Sequence, residues 1–271
     1  MKSLIVNADD LGLHPGINAG VLRCHRDGIV TSASLSANGA AFEEAVHALK
    51  ETDGLAVGVH LTLVGEAAVS PRDRVPTLAP EGRLPGHFST LFRLLLLGRI
   101  RQAEVEEELV AQVARVREAG IAVRHLDSHQ HVHLHPALFP IVLRVARRFG
   151  IGAVRAARRV MPLRGLRPCL LALVARRSWR ALRDAGLRSP DTLLGAAETG
   201  RLDEARLLRL LSRLPPGTSE LVCHPGTGAV AIGAAYPWGF QWDREVEALT
   251  SPQVRETLTR QGVRLATYAE L

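Results

Sequence analysis

Cysteine is scarce in this chain. Cys24, Cys169 and Cys223 are the whole set among 271 residues. An odd number with no CxxC spacing argues against a disulfide framework and against a cysteine-based zinc site. A reducing cytoplasm is the compartment this usage suggests. Long apolar runs are missing too: nothing approaches the roughly 18 consecutive apolar residues of a spanning helix. The opening MKSLIVNADD has too short an apolar region, and no small-residue cleavage site, for a secretion signal, so it reads as a strand. Neither GxGxxG after the first strand nor GxxxxGK[ST] occurs, which weakens nucleotide-fold readings. Lysine is nearly absent, with only Lys2 and Lys50.

What is present is a 46% hydrophobic chain of net charge +7. The charge is local. Between Arg144 and Arg188 stand 13 arginines and one acid, Asp184, while the remainder is net −5. A solvated set of helix faces and an anionic partner surface both account for such a block. Aromatic interleaving within it is slight, Phe149 and Trp179 only, so nucleic acid is not an expected partner.

Strand and helix signals alternate along the whole length. SLIVNA, VTSASL, LAVGVHLTL, AVRHLD, GAVRA, DTLL, TSELVCHP and VRLAT read as strands. PGINAGVLRCHRDG, AAFEEAVHALKE, AEVEEELVAQVARVREAG, PALFPIVLRVARRFG, the basic stretch 163–188, DEARLLRLLSRL and SPQVRETLTRQG read as helices. Residues 65–90 are Pro/Gly-rich and loop-like. No linker interrupts the series, so residues 1–271 are expected to form a single domain. The alternation predicts an α/β fold, a TIM-barrel-like (β/α) barrel, seven-stranded or otherwise distorted, with an open doubly wound sheet as the rival. The apolar stretch LFRLLLLGRI at 91–100 suggests a contact face, a substrate lid or core, and with it a homodimer.

Polar residues gather at the carboxyl ends of the apolar strands. Asn7, Asp9 and Asp10 follow LIV, His60 follows LAVGV, Asp127 and His129 follow VRHL, and His224 follows ELVC. That end of a parallel sheet is where active sites are built. Asp9-Asp10 fits a helix N-cap or a metal ligand beside a free base. The tract HLDSHQHVHLHP, if extended, aligns His129, His131, His133 and His135 on one face. A hydrolytic metal site needs about three protein ligands and an open position, so the later histidines are expected in supporting or structural places.

The set VNADDLG, GVHLTL, HLDSHQHVHLHPALFP and CHP, in this order over nearly the whole chain, resembles the YdjC-like carbohydrate deacetylase family, which includes chitooligosaccharide and hopanoid-associated deacetylases. The first and third motifs are specific; CHP alone is weak. Leu11 departs from the family's usual Phe, at a position expected to pack rather than react. The resemblance implies a fold related to polysaccharide deacetylases and removal of an acetyl group from an N-acetylated amino sugar with one divalent metal ion. It implies Asp10, His60 and His129 as the metal ligands and Asp9 as general base. His224 is the expected general acid, and His131 and Asn7 are expected near substrate. Ligand type suits zinc and the family's structures suit magnesium, so both stay open. Rival readings are another barrel metallohydrolase, of amidohydrolase or phosphoesterase kind, and a non-catalytic membrane-surface protein. A peripheral place at the inner membrane face, through the arginines of 144–188, is compatible with the enzyme as well.

Overall fold

The computed structural model describes residues 2–161 and 166–271, with the side chains of Arg167 and Pro168 excepted. In chain order it runs β1 (Lys2–Leu11), α1 (Pro15–Arg26), β2 (Ser32–Leu35), α2 (Phe42–Lys50) and β3 (Ala56–Leu61). Then come α3 (Phe88–Leu96), α4 (Gln102–Glu118), β4 (Val123–Ser128), a 3₁₀ turn (His129–Leu134) and α5 (Phe139–Arg148). There follow β5 (Arg159–Met161), α6 (Leu166–Asp184), β6 (Thr192–Leu194), α7 (Glu204–Leu211) and β7 (Gly217–Cys223). The last elements are α8 (Ala229–Ala235), α9 (Trp242–Leu249), α10 (Pro252–Arg260) and β8 (Val263–Ala266). Local chemistry sets the helix starts. His14, not Asp9 or Asp10, caps α1, its Nδ1 accepting from Gly16 N–H at 3.0 Å with Pro15 next. Ser251 and Pro252 open α10 in the same way.

The ladders are parallel, in the order β4-β3-β2-β1-β7-β6-β5. β7 takes one edge of β1 from Lys2 to Ala8. The other edge is divided between β8, over Lys2–Ile5, and β2, over Asn7–Leu11. The stretch 152–156 joins the two ends of the sheet. Leu126 of β4 donates to Ala153 at 3.0 Å and accepts from Arg155 N–H at 2.9 Å. Val154 donates to Arg188 at 3.0 Å, and Arg188 donates to Gly152 at 2.9 Å. The result is a distorted barrel, as the alternating pattern predicts. GAVRA makes this closing contact through isolated bridges, and the ladder strand lies a few residues later, at Arg159–Met161.

Two helices, α8 and α9, were not among the expected elements. The loop-like region 65–90 ends in α3, and LFRLLLLGRI divides, with Leu91 and Ile100 buried and Leu96 and Leu97 exposed. Residues 163–165 of the expected basic helix lie outside the described residues. The buried face of α4 carries acids, Glu104 and Glu108, with Gln112 a turn further on. They stabilise the long β3–α4 connection by taking its free amides. Glu108 accepts from Val69 and Ser70 at 2.9 and 2.8 Å, Glu104 from Leu78 at 2.9 Å, and Gln112 from Thr62 at 2.8 Å. Buried polar groups without such partners would each cost about 1–3 kcal/mol.

Candidate active site

Two consecutive side chains on a regular strand point to opposite faces. Asp9 and Asp10 escape that rule because β1 is irregular there. Its pairing with β2 shifts register between Ala8 and Leu11, and Asp10 stands at φ +66°. A non-glycine residue in the left-handed region is uncommon, Asp being one of the more tolerant types, and such strain collects at functional sites. The irregularity lets both carboxylates serve one site.

Asp10 meets two imidazoles. Its Oδ1 lies 3.2 Å from His60 Nε2 and 2.9 Å from His129 Nδ1. These three donor atoms lie within 4.8 Å of one another. Burial alone would raise the Asp10 pKa, but His129 and His60 hold it well below the usual carboxylate range. The other ring nitrogen of His60, Nδ1, is 2.9 Å from Asp127 Oδ1. A carboxylate behind an imidazole fixes the ring and makes it a better ligand. Burial acts against charge on His60, but Asp127, Asp10 and Asp9 outweigh it and move its pKa up to about 10. One carboxylate oxygen and two ring nitrogens converging in this way are a donor set that a divalent cation fits.

Asp9 is held from behind by Arg155, from the barrel-closing stretch. Nη1 donates to Asp9 Oδ2 and Nη2 to Oδ1, both at 2.7 Å. The same guanidinium reaches Asp127 Oδ2 at 2.7 Å and donates from Nε to Glu220 Oε1 at 2.9 Å. All four side chains are buried. Burial pushes the Asp9 carboxyl up, and the Arg155 charge and hydrogen bonds more than reverse this, so its pKa falls below the ordinary value. Arg155 was missed in the sequence because it lies within an arginine-rich block. Its one distinguishing signal is its place in an apolar strand-like stretch, GAVRA.

The barrel floor continues the network. Tyr268 donates to Glu220 Oε2 at 2.7 Å, and its ring stacks on His125 at 3.7 Å. Burial lifts the Glu220 pKa to about 7 against the pull of Arg155 and Tyr268, and burial holds His125 down to about 4. Ser34 binds Asp127 Oδ2 at 2.7 Å and lies 3.1 Å from His125 Nε2.

The histidine tract is not extended. Gln130 and His131 both take left-handed backbone, φ +55° and +54°, and the segment coils into the 3₁₀ turn, so the expected one-faced row of histidines does not form. His129 alone of the tract joins Asp10. His133 lies between Ser128 Oγ at 2.6 Å and the Arg155 carbonyl at 2.7 Å. His135 stacks on Phe92 at 4.4 Å. His131 is half-buried, and its Nδ1 has no partner among the described residues. Burial pulls its pKa down to about 3.

Asn7 lies behind Asp9. It is fully buried, with its amide donating to Asp9 Oδ1 at 2.7 Å and Ser34 Oγ at 2.8 Å, so it orients the carboxylate. His224 sits at the end of β7, whose register pairs Ala8 with Cys223 and so sets His224 beside Asp9. Its backbone N–H donates to Glu245 at 2.6 Å, and its Nδ1 has no partner among the described residues. A cleft of about 340 Å³ opens over His129 and Gln130 between the β3–α4 connection, with Glu66 and Arg83, and the 235–238 segment, with Tyr236 and Trp238. That is the size of a small-ligand site.

Comparison with known proteins places this arrangement among relatives. Residues 3–260 match the family described as YdjC-like protein. A carbohydrate deacetylase from Geobacillus stearothermophilus is 32% identical over 268 residues, covering 98% of this chain and 96% of the relative. A chitooligosaccharide deacetylase from Klebsiella pneumoniae (strain 342) is 35% identical over 275 residues, covering 100% and 99%. A crystal structure from Enterococcus faecalis V583, of a proposed cellobiose-phosphate cleavage protein, superposes with a TM-score of 0.82 at 28% identity, covering 99% of this chain and 98% of that one.

Proposed function

The chain belongs to the YdjC-like protein family, and from that premise we propose that it is a carbohydrate deacetylase that hydrolyses the N-acetyl group of an amino sugar. The observation that carries the reading is the pairing of Asp10, which touches both His60 and His129, with an adjacent Asp9 clamped by Arg155. The substrate is an N-acetylglucosamine unit, borne on a short chitooligosaccharide or on a lipid of hopanoid type. Trp238, 5.2 Å from the His129 ring, offers a flat apolar wall beside the reacting centre for the sugar.

Asp10, His60 and His129 would hold one divalent ion, with zinc favoured by ligand type and magnesium the alternative. Such an ion supplies Lewis acidity, polarising the amide carbonyl and making water a stronger acid. Asp9 accepts the proton of the attacking water. Its Oδ1 already takes two hydrogen bonds, from Arg155 and Asn7, whereas Oδ2 takes one, so Oδ2 keeps acceptor capacity for the task. Arg155 and Asn7 keep that carboxylate from rotating. His224, with Nδ1 unpartnered among the described residues, donates a proton to the departing amine. His131 is neutral near pH 7 and suits a hydrogen bond to the substrate better than the acid role.

The test is acetate release from chitooligosaccharides together with metal content. Asp9→Asn should keep its metal and lose about 10²–10⁴ in rate. His129→Ala should lose both. If folded forms of the two variants release acetate at near wild-type rates, this is not the reacting site. The Enterococcus relative, described as a proposed cellobiose-phosphate cleavage protein, favours one other reading, cleavage of a phosphorylated disaccharide. Breakdown of cellobiose phosphate without acetate release from chitooligosaccharides would select it.

A further inference from the structure

Two exposed apolar faces flank the active site, and the reaction uses neither. On α6, Leu166, Leu170 and Leu173 are 75%, 53% and 70% exposed. Their spacing of four and three residues puts them on one helical stripe. The same face continues into exposed Arg176, Arg177 and Arg180. At the end of α3, Leu96 and Leu97 are 87% and 62% exposed. Residues 84–103 around them carry three arginines and no acid.

Both faces belong to the rim that bears the site. In parallel strand–helix units the chain leaves each strand at its carboxyl end. α3 lies in the connection leaving β3, the same connection that lines the cleft. α6 starts just after β5 ends, so its leucine turns are the ones nearest the rim. Both helices also pack on the segment that carries His129. Phe92 of α3 stacks on His135, and Ser178 of α6 donates to the Leu134 carbonyl at 3.4 Å.

We infer that this rim docks on an anionic lipid bilayer, with the leucines entering the interface and the arginines meeting the headgroups. No described helix is long and apolar enough to cross a membrane, so the association lies on the surface. Charge selects the occupant. A two-fold dimer through this face would set one patch against its own copy, bringing two arginine-rich surfaces together. An anionic bilayer has the complementary sign. The inference draws on the deacetylase reading only for what the surface delivers, an acetylated amino-sugar headgroup, to the cleft mouth.

The experiment is flotation of the full chain with vesicles of phosphatidylcholine plus phosphatidylglycerol, against phosphatidylcholine alone. Wild type should float with the anionic vesicles and not with the neutral ones, and added salt should release it. The double variant Leu170→Asp/Leu173→Asp should lose flotation. Arg177→Gln/Arg180→Gln should bind about 25-fold more weakly, at about fivefold per arginine. Both variants should keep wild-type acetate release from a soluble chitooligosaccharide. Vesicle binding is read without turnover, so failure of the deacetylase reading leaves this result standing, and the reverse. Wild type that stays unbound, or variants that float like wild type, would overturn the inference. So would a wild-type dimer in light scattering that the leucine variant dissociates.

Discussion

Arg155→Leu is the most informative single perturbation. The wild-type guanidinium faces three carboxylates, with 2.7 Å contacts to Asp9 and Asp127 and a 2.9 Å bond to Glu220, and all are buried. Leucine preserves much of the volume and removes the cation that contacts all three acids. Deleting one partner of a buried pair costs about 3–5 kcal/mol. Three acids share this partner, so the loss should reach the upper part of that range. Total stability is typically about 5–15 kcal/mol, so the variant should be folded but marginal. The sign with pH is set by burial, which raises a carboxyl pKa once the arginine is gone. Acids with raised native pKa values favour the folded state at low pH and lose that contribution as pH rises through them. The deficit relative to wild type should therefore be larger at pH 8 than at pH 5. Urea unfolding at the two pH values measures it. A loss below about 1 kcal/mol, or an equal loss at both, would refute the reasoning. Arg155→Lys supplies the charge without the fork. It should recover stability in part while acetate release stays low, because Asp9 is no longer held by two parallel bonds.

Two further outcomes follow from the barrel floor. A methyl on Gly58 would stand 2.4 Å from the His125 ring, which cannot retreat because Tyr268 stacks on it at 3.7 Å. Gly58→Ala should cost about 1–3 kcal/mol, read in a thermal melt as a fall of about 2–4 °C per kcal/mol at this chain size. Glu220, with its pKa raised to about 7, contributes stability that is complete below its ordinary value of 4.5 and fades as pH rises through 7. Glu220→Gln stays neutral, so its unfolding free energy should decline less than that of wild type between pH 5 and 8. Equal slopes would contradict the burial argument.

The strand–helix alternation and the carboxyl-end placement of Asp9, Asp10, His60, His129 and His224 were legible before any coordinates, because both follow from local periodicity. Parallel connectivity then delivers those residues to one rim whatever the details. Less legible was how each side chain is used. Asn7 looks like a substrate contact in sequence and is a buried brace for Asp9. His129, His131, His133 and His135 look like one row, which left-handed backbone at Gln130 and His131 breaks. α4 is legible as a helix, but the work of its acids in holding the cleft's connecting loop is not.

The sequence alone determined the fold class, the family, and which residue types stand at the site end of the sheet. The tertiary structure decided the rest. Asp9 and Asp10 share a site only because β1 loses its register with β2 between Ala8 and Leu11, a property of the pair of strands and not of either one. Asp9 is oriented by Arg155, 146 positions away in the chain, through a stretch that is strand-like in composition but pairs only to close the barrel. Local patterns specify which face a residue turns to the core. Which charge meets which within that core depends on closure of the sheet, and no window of sequence contains it.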